Sequence, residues 1–162
     1  MPATTPATSR SDHPTVPTGI DPRGPRFVAT VTAALLAVAL VTAPSAVTLA
    51  LLGVQAVVFA IGALRGIQHT PYSWLFRTLL RPRLAPPTEL EDPAPPRFAQ
   101  AVGLGFVLLA LAGYLAGAPL LGAVATGAAL AAAFLNAAFA FCLGCEMYLL
   151  GKRLLPARAT AH

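Results

Sequence analysis

Residues 45–64 read SAVTLALLGVQAVVFAIGAL, a run with no charged side chain. At a helical rise of about 1.5 Å per residue it extends about 30 Å, the hydrocarbon thickness of a bilayer. Three more runs of this kind lie at about 27–43, 98–118 and 120–150, the last apolar only to about residue 141. Their near-total lack of charge separates them from the amphipathic helices of a soluble bundle. The rest of the composition agrees. The chain of 162 residues is 56% hydrophobic and 10% charged, with a mean hydropathy of +0.70. Soluble domains carry about 25% charged residues, so a soluble enzyme and a disordered regulator are both excluded. The expected fold is an all-α integral membrane protein with four transmembrane helices.

The chain also repeats itself. Asp21-Pro22-Arg23-Gly24-Pro25-Arg26-Phe27 matches Asp92-Pro93-Ala94-Pro95-Pro96-Arg97-Phe98 at an offset of 92 − 21 = 71. Each copy precedes an apolar run, a lone proline (Pro44, Pro119) and a second run. Each half then closes on a basic, leucine-rich stretch, Leu75–Leu80 and Leu150–Leu155. We therefore read two tandem hairpins, a first repeat over 21–84 and a second over 92–156. An even number of spans per unit gives both the same orientation, a parallel repeat about an axis along the membrane normal. The segments outside them are a Pro/Thr/Ser-rich tail over 1–20, expected to be disordered, a Pro-rich acidic linker over 85–91, and a C-terminal tail over 157–162. Val41-Thr42-Ala43 resembles a signal-peptide cleavage site, but the long acidic-containing leader and the repeat argue that the first span is retained.

All eleven Lys and Arg fall in the N-terminal region, the central segment or the C-terminal region, and none in either hairpin turn. The positive-inside rule then puts both termini and the central segment in the cytoplasm. Basic residues that flank spans are matched by lipid headgroups, which removes nucleic acid as a partner. Within the central segment, Thr70 and Pro71 form a helix start. Tyr72, Leu75, Phe76, Leu79 and Leu80 follow at amphipathic spacing, with Ser73, Arg77, Thr78 and Arg81 opposite. This predicts a short interfacial helix over about 70–81. Gly62-xxx-Gly66, Gly113-xxx-Gly117 and the Ala/Gly-rich fourth span are read as packing surfaces.

Chemistry concentrates in one place. The two cysteines form a C-x-x-C pair in Phe141-Cys142-Leu143-Gly144-Cys145-Glu146, expected at the cytoplasmic end of the fourth span. Offset 75 pairs Cys145 with Thr70, which suggests that Cys145 also stands at a helix start, with Gly144 supplying the break. Three readings stay open: small core side chains, a redox dithiol or persulfide carrier, and a metal site. In the redox reading Cys145 attacks and Cys142 resolves. In the metal reading only His69 and Glu146 are at hand to complete the ligand set. His69 is also a candidate proton partner for a thiol. Gln55 and Asn136 are the strongly polar residues read inside the spans, and they call for interhelical hydrogen bonds or line a path. Asp21, Asp92, Arg26 and Arg97 flank helix starts and are read as architectural. No cofactor-binding motif, phosphate loop or Ser/His/Asp arrangement is present.

The D-P-R-G-P-R-F entry, the R-G-I-Q-H-T-P-Y segment and the F-C-L-G-C-E-M-Y ending resemble bacterial four-helix membrane proteins, common in actinobacteria, grouped as domain of unknown function 4395. The resemblance covers residues 20–155. It implies a multi-pass inner-membrane protein without an assigned activity and with no established catalytic residues. It further implies thioredoxin-like or sulfurtransferase proteins as partners, beside the lipid bilayer itself. The leading functional expectation is thiol-redox or sulfur handling through Cys142 and Cys145. A small transporter with a path at the repeat interface and a structural or assembly subunit are the alternatives. Four short helices make a thin bundle, so a homodimer is compatible with each.

Overall fold

The structure is a computed structural model that describes residues 19–87 and 90–154. The tails read over 1–20 and 157–162 lie almost wholly, and part of the 85–91 linker lies, outside the described residues. Six α-helices run in the order α1 (Arg23–Val41), α2 (Ala46–Arg65), α3 (Pro71–Leu79), α4 (Ala94–Leu115), α5 (Pro119–Phe139) and α6 (Leu143–Leu154). Four of them, α1, α2, α4 and α5, are long and apolar enough to cross a membrane. At most a third of each such segment is buried in the bundle, which leaves apolar side chains such as Val54, Val57, Leu115 and Val124 on its outside. The protein is a multi-pass α-helical membrane protein, and lipid covers that surface.

The helix ends follow from local chemistry. Asp21 and Asp92 each precede a proline, and each carboxylate accepts a hydrogen bond from the backbone two residues on: Arg23 N at 3.0 Å and Ala94 N at 2.9 Å. Those bonds satisfy donors that a helix start leaves free. Ser45 caps α2 by accepting from Thr48 N at 3.2 Å. Thr70 caps α3 by accepting from Ser73 N at 3.2 Å, with Pro71 in the first turn. Gly66 and Gly117 carry φ of 98° and 74°, left-handed values that glycine adopts without steric cost.

The bundle is assembled across the chain's midpoint. α1 packs on α5, α2 on α4, and α4 also on α5, while α3 lies against α1 and α6 against α4. Leu36, Leu52, Val107, Ala110 and Ala125 form the sealed centre. Matched interactions recur at near-constant offsets. Arg26 donates to the carbonyls of Ala137 (3.0 Å) and Ala138 (3.3 Å) at the end of α5. Arg97 donates to those of Ala63 (2.7 Å) and Leu64 at the end of α2. Phe27 meets Phe76 with ring centres 5.8 Å apart, and Phe98 meets Tyr148 at 5.7 Å. Ile20 and Glu91, 71 positions apart, exchange a pair of backbone hydrogen bonds with each other, each 3.0 Å.

Several expectations are corrected. The run read as one span over 120–150 is two helices: α5 ends at Phe139, and α6 begins at Leu143. The two Gly-xxx-Gly pairs do not act as pairs. A Cβ on Gly113 would stand 2.7 Å from Gly122 N, so Gly113 is a true helix contact between α4 and α5, while Gly117 has open space and serves the turn. On α3, Ser73 was assigned to the polar face yet is buried, donating to the Ile67 carbonyl at 2.6 Å, whereas Leu79 and Trp74 are exposed. The helix reaches into the bundle with a polar group: Tyr72 donates to Gln55 Oε1 at 3.1 Å, and Gln55 Nε2 donates to Thr32 at 3.3 Å. Burial pushes the Tyr72 phenol up from its ordinary range.

Gln55 is fully buried, so removing its donor leaves an unsatisfied acceptor. Tyr72→Phe is expected to destabilise the protein by about 1 kcal/mol, read as a lower unfolding midpoint in detergent. The double variant Tyr72→Phe/Gln55→Leu, which removes both polar groups, is expected to recover most of that loss.

Candidate functional site

At the end of α5 the chain turns through Ala140, whose φ is 55°. Ala140 N donates to Asn136 O at 3.1 Å and Phe141 N to Leu135 O at 3.3 Å, closing the last carbonyls in the manner of a left-handed cap. Arg26 takes two more of those carbonyls, at Ala137 and Ala138. The next helix starts three residues later. Cys142 stands just before α6, where its carbonyl accepts from Glu146 N at 3.0 Å and its Sγ from Cys145 N at 3.3 Å. Cys142 and Cys145 are joined as a disulfide, their Cα atoms 5.2 Å apart, a spacing suited to a bridge. Neither cysteine is free. A Cβ on Gly144 would stand 2.7 Å from Ala99, so only glycine lets this turn lie directly on α4.

The break therefore falls at Ala140, not at Gly144. The helix start predicted near the cysteines is present, but Cys142, not Cys145, takes the capping place. Its counterpart is Thr70, which caps α3 in the same way, and the offset is 142 − 70 = 72. The offset of 75 came from matching leucines and basic residues, whereas capping geometry sets the true register. Cys145 then corresponds to Ser73, and the Thr70 and Ser73 hydroxyls, 3.1 Å apart, stand where the other half carries its disulfide.

Cys142 and Cys145 both line a cavity of about 600 Å³ between α1, α4, α5 and α6. It extends along α5 from Asn136 back to Ala128, about 12 Å of helix. Its walls are largely apolar: Val28, Ala29, Phe106, Ala129, Ala132 and Leu135 among them. Arg26, Gln100 and Asn136 bring polar groups. Gln100 is only 7% exposed, and its Oε1 has no hydrogen-bond partner among the described residues. Of the small residues of the fourth span read as a packing surface, Gly122 and Ala125 pack in the bundle, while Ala128, Ala131, Ala132 and Ala133 line this space.

The cavity matches an asymmetry between the halves. With the offsets of the arginines, of their carbonyl acceptors and of the caps (71, 74 and 72), Thr32, Gln55 and Tyr72 correspond to Gly103, Ala129 and Gly144. The first three form a hydrogen-bonded chain that fills its space. The second three have little or no side chain, and all line the cavity.

Other candidate residues are not gathered here. His69 is exposed in a 3-10 turn and, like Glu146, does not line the cavity. Among the described residues no group of three or more His, Cys, Asp and Glu stands close enough to hold a metal, so Cys142, Cys145, His69 and Glu146 do not form one ligand set. Gln55 is satisfied within its own network and lies apart from Asn136, which lines the cavity; the two do not share a path. Sequence reasoning missed Gln100, because the third apolar run was taken to begin so close to it that it passed for an end residue. Aligning the halves on their caps would have exposed both it and the missing Tyr72 counterpart.

Fold and site together define a class: a multi-pass helical membrane protein with a C-x-x-C disulfide against a largely apolar cavity. The chain belongs to the family described as domain of unknown function 4395, whose family model matches residues 20–153. No curated protein and no solved structure matches the chain.

In protein purified without reductant, Cys142 and Cys145 are expected to resist alkylation. After reduction two alkyl groups add, measured by intact mass. Two alkylations before any reductant would contradict the bridged pair.

Proposed function

We propose that this protein is a membrane thiol-disulfide exchanger, using Cys142 and Cys145 with a soluble dithiol partner of thioredoxin-like type on the cytoplasmic side. The observation that carries the reading is the bridged pair at the cavity's basic end, off the spans, on a short helix of its own. This reading takes the chain as two tandem parallel hairpins with both termini cytoplasmic, which brings the turn before α6 to the water boundary. The exclusive pairing of both cysteines favours dithiol exchange over a persulfide carrier, which needs one thiol standing free.

The exchange balances without further reagents. A partner thiolate attacks Cys142 Sγ, the Cys142–Cys145 bond breaks, and Cys145 leaves as a thiolate that takes up a proton. The partner's second thiol then attacks the mixed disulfide at the partner's own sulfur. The partner departs as a disulfide, and the membrane pair is left as two thiols. Cys142 is the exchanging sulfur because the Cys145 N–H and the N-terminus of α6 favour its thiolate. This reverses the roles expected from sequence, where Cys145 was the attacking group.

Cys145→Ser leaves Cys142 without its resolving partner and is expected to accumulate a mixed disulfide with a thioredoxin-fold protein whose own second cysteine is replaced and whose remaining cysteine is activated as a mixed disulfide with thionitrobenzoate, which leaves as its thiolate. Non-reducing electrophoresis reads the adduct. Cys142→Ser is expected to give at least tenfold less. Equal trapping by the two variants would contradict the assignment, and absence of trapping by both would contradict the exchange.

A further inference from the structure

The exchange leaves the membrane pair reduced, so a cycle needs an oxidant for Cys142 and Cys145. Resting on the thiol-exchange reading, we propose that the cavity binds a quinone-class carrier, a lipid-soluble acceptor of two electrons and two protons. It re-forms the disulfide from within the membrane.

Five observations converge. Cys142 and Cys145 both line the same cavity. Its volume of about 600 Å³ lies within the range of small-molecule sites. Its walls of alanine, valine and phenylalanine suit an apolar ring and tail and give a water-soluble oxidant little to bind. Its polar groups are few and suited to ring oxygens. Gln100 lines the wall, its Oε1 turned against Gly62 of α2. Asn136 offers an amide, and Arg26 a positive charge that favours a hydroquinone anion. The space is also particular to one half of the molecule. Where the first half has Thr32, Gln55 and Tyr72, the second has Gly103, closed on by Phe59, Gly144, closed on by Ala99, and Ala129, which lines the cavity along with the disulfide residues.

In the step, the Cys142 thiolate adds reversibly to a ring carbon of the quinone. The Cys145 thiolate then attacks Cys142 Sγ, forming the S–S bond and breaking the S–C bond, and the electron pair leaves on the ring. The two protons given up by the thiols end on the two ring oxygens. The dithiol is oxidised to a disulfide and the quinone reduced to a hydroquinone, two electrons each way. The net reaction moves electrons from a soluble dithiol to the membrane quinone pool.

The test uses full-length protein in lipid nanodiscs, reduced with dithiothreitol, freed of it, and mixed anaerobically with a fully substituted short-tailed benzoquinone. Hydroquinone is followed by absorbance and thiols by alkylation and mass. One hydroquinone per disulfide re-formed is expected. Ala132→Phe, which fills the cavity, is expected to slow the reaction at least tenfold, while re-oxidation by diamide proceeds within twofold of wild type. Asn136→Leu serves where the larger side chain prevents folding, with slower quinone reduction and unchanged diamide oxidation expected. If quinone oxidises the variants as fast as wild type, or leaves wild type reduced while diamide re-forms the bridge, this inference fails and thiol exchange stands. If dithiothreitol cannot reduce the pair in the folded protein, both fail.

Discussion

Everything at the basic end of this bundle depends on how a helix that has crossed hydrocarbon is allowed to stop. Its last carbonyls have no partner within the helix, and lipid supplies none. Here an arginine at the start of a helix in the other half reaches across to take them: Arg26 for α5 and Arg97 for α2. With those acceptors satisfied, the chain can leave the helix at Ala140, turn within three residues and begin α6 at Leu143. The sulfur pair occupies that turn. The clasp is thus both an assembly contact and the support of the candidate site, and it joins the first half of the chain to the chemistry of the second.

The two similarly capped turns carry different side chains. At the first turn a threonine caps the helix, a serine hydroxyl faces it, and a tyrosine reaches inward to a buried glutamine. At the second, cysteines replace both hydroxyl residues, a glycine replaces the tyrosine, and an alanine replaces the glutamine. The hydroxyl pair makes one version a closed structural cap. At the other, a bridged cysteine pair stands beside a largely apolar cavity. The loss of side-chain volume and the gain of sulfur fall on the same half, and this coincidence supports reading them together.

The four spans were legible because uncharged runs of bilayer length admit few other structures, and the basic residues at one end marked where the chain returns to water. The D-P-x-x-P-R-F motif announced a repeated helix start, and both aspartates do cap. Less legible was everything set by a backbone turn. Ala140 carries no turn signature, so α5 and α6 read as one run. Leucine and arginine composition is degenerate, so the register of α3 against α6 slipped by three positions and paired Cys145 with the wrong residue. Hydropathy treats alanine as filler, so it does not reveal that alanines along α5 line a cavity. Ser73 was misjudged because polarity suggests exposure, whereas the Ile67 carbonyl it donates to holds it inside.

The central claim is that the Arg26 clasp holds the sulfur pair in place, and its most direct test is the equilibrium of Cys142 and Cys145 with a glutathione buffer in lipid nanodiscs. Wild type, Arg26→Gln and Arg97→Gln would be compared by alkylation and mass. Releasing the end of α5 loosens the turn that pre-organises the bridge, so Arg26→Gln is expected to shift the equilibrium toward the dithiol by about tenfold, about 1.4 kcal/mol. Arg97→Gln, the matching clasp on α2, is expected to leave it within twofold of wild type. Identical equilibria for Arg26→Gln and wild type, or equal shifts for both variants, would contradict the account.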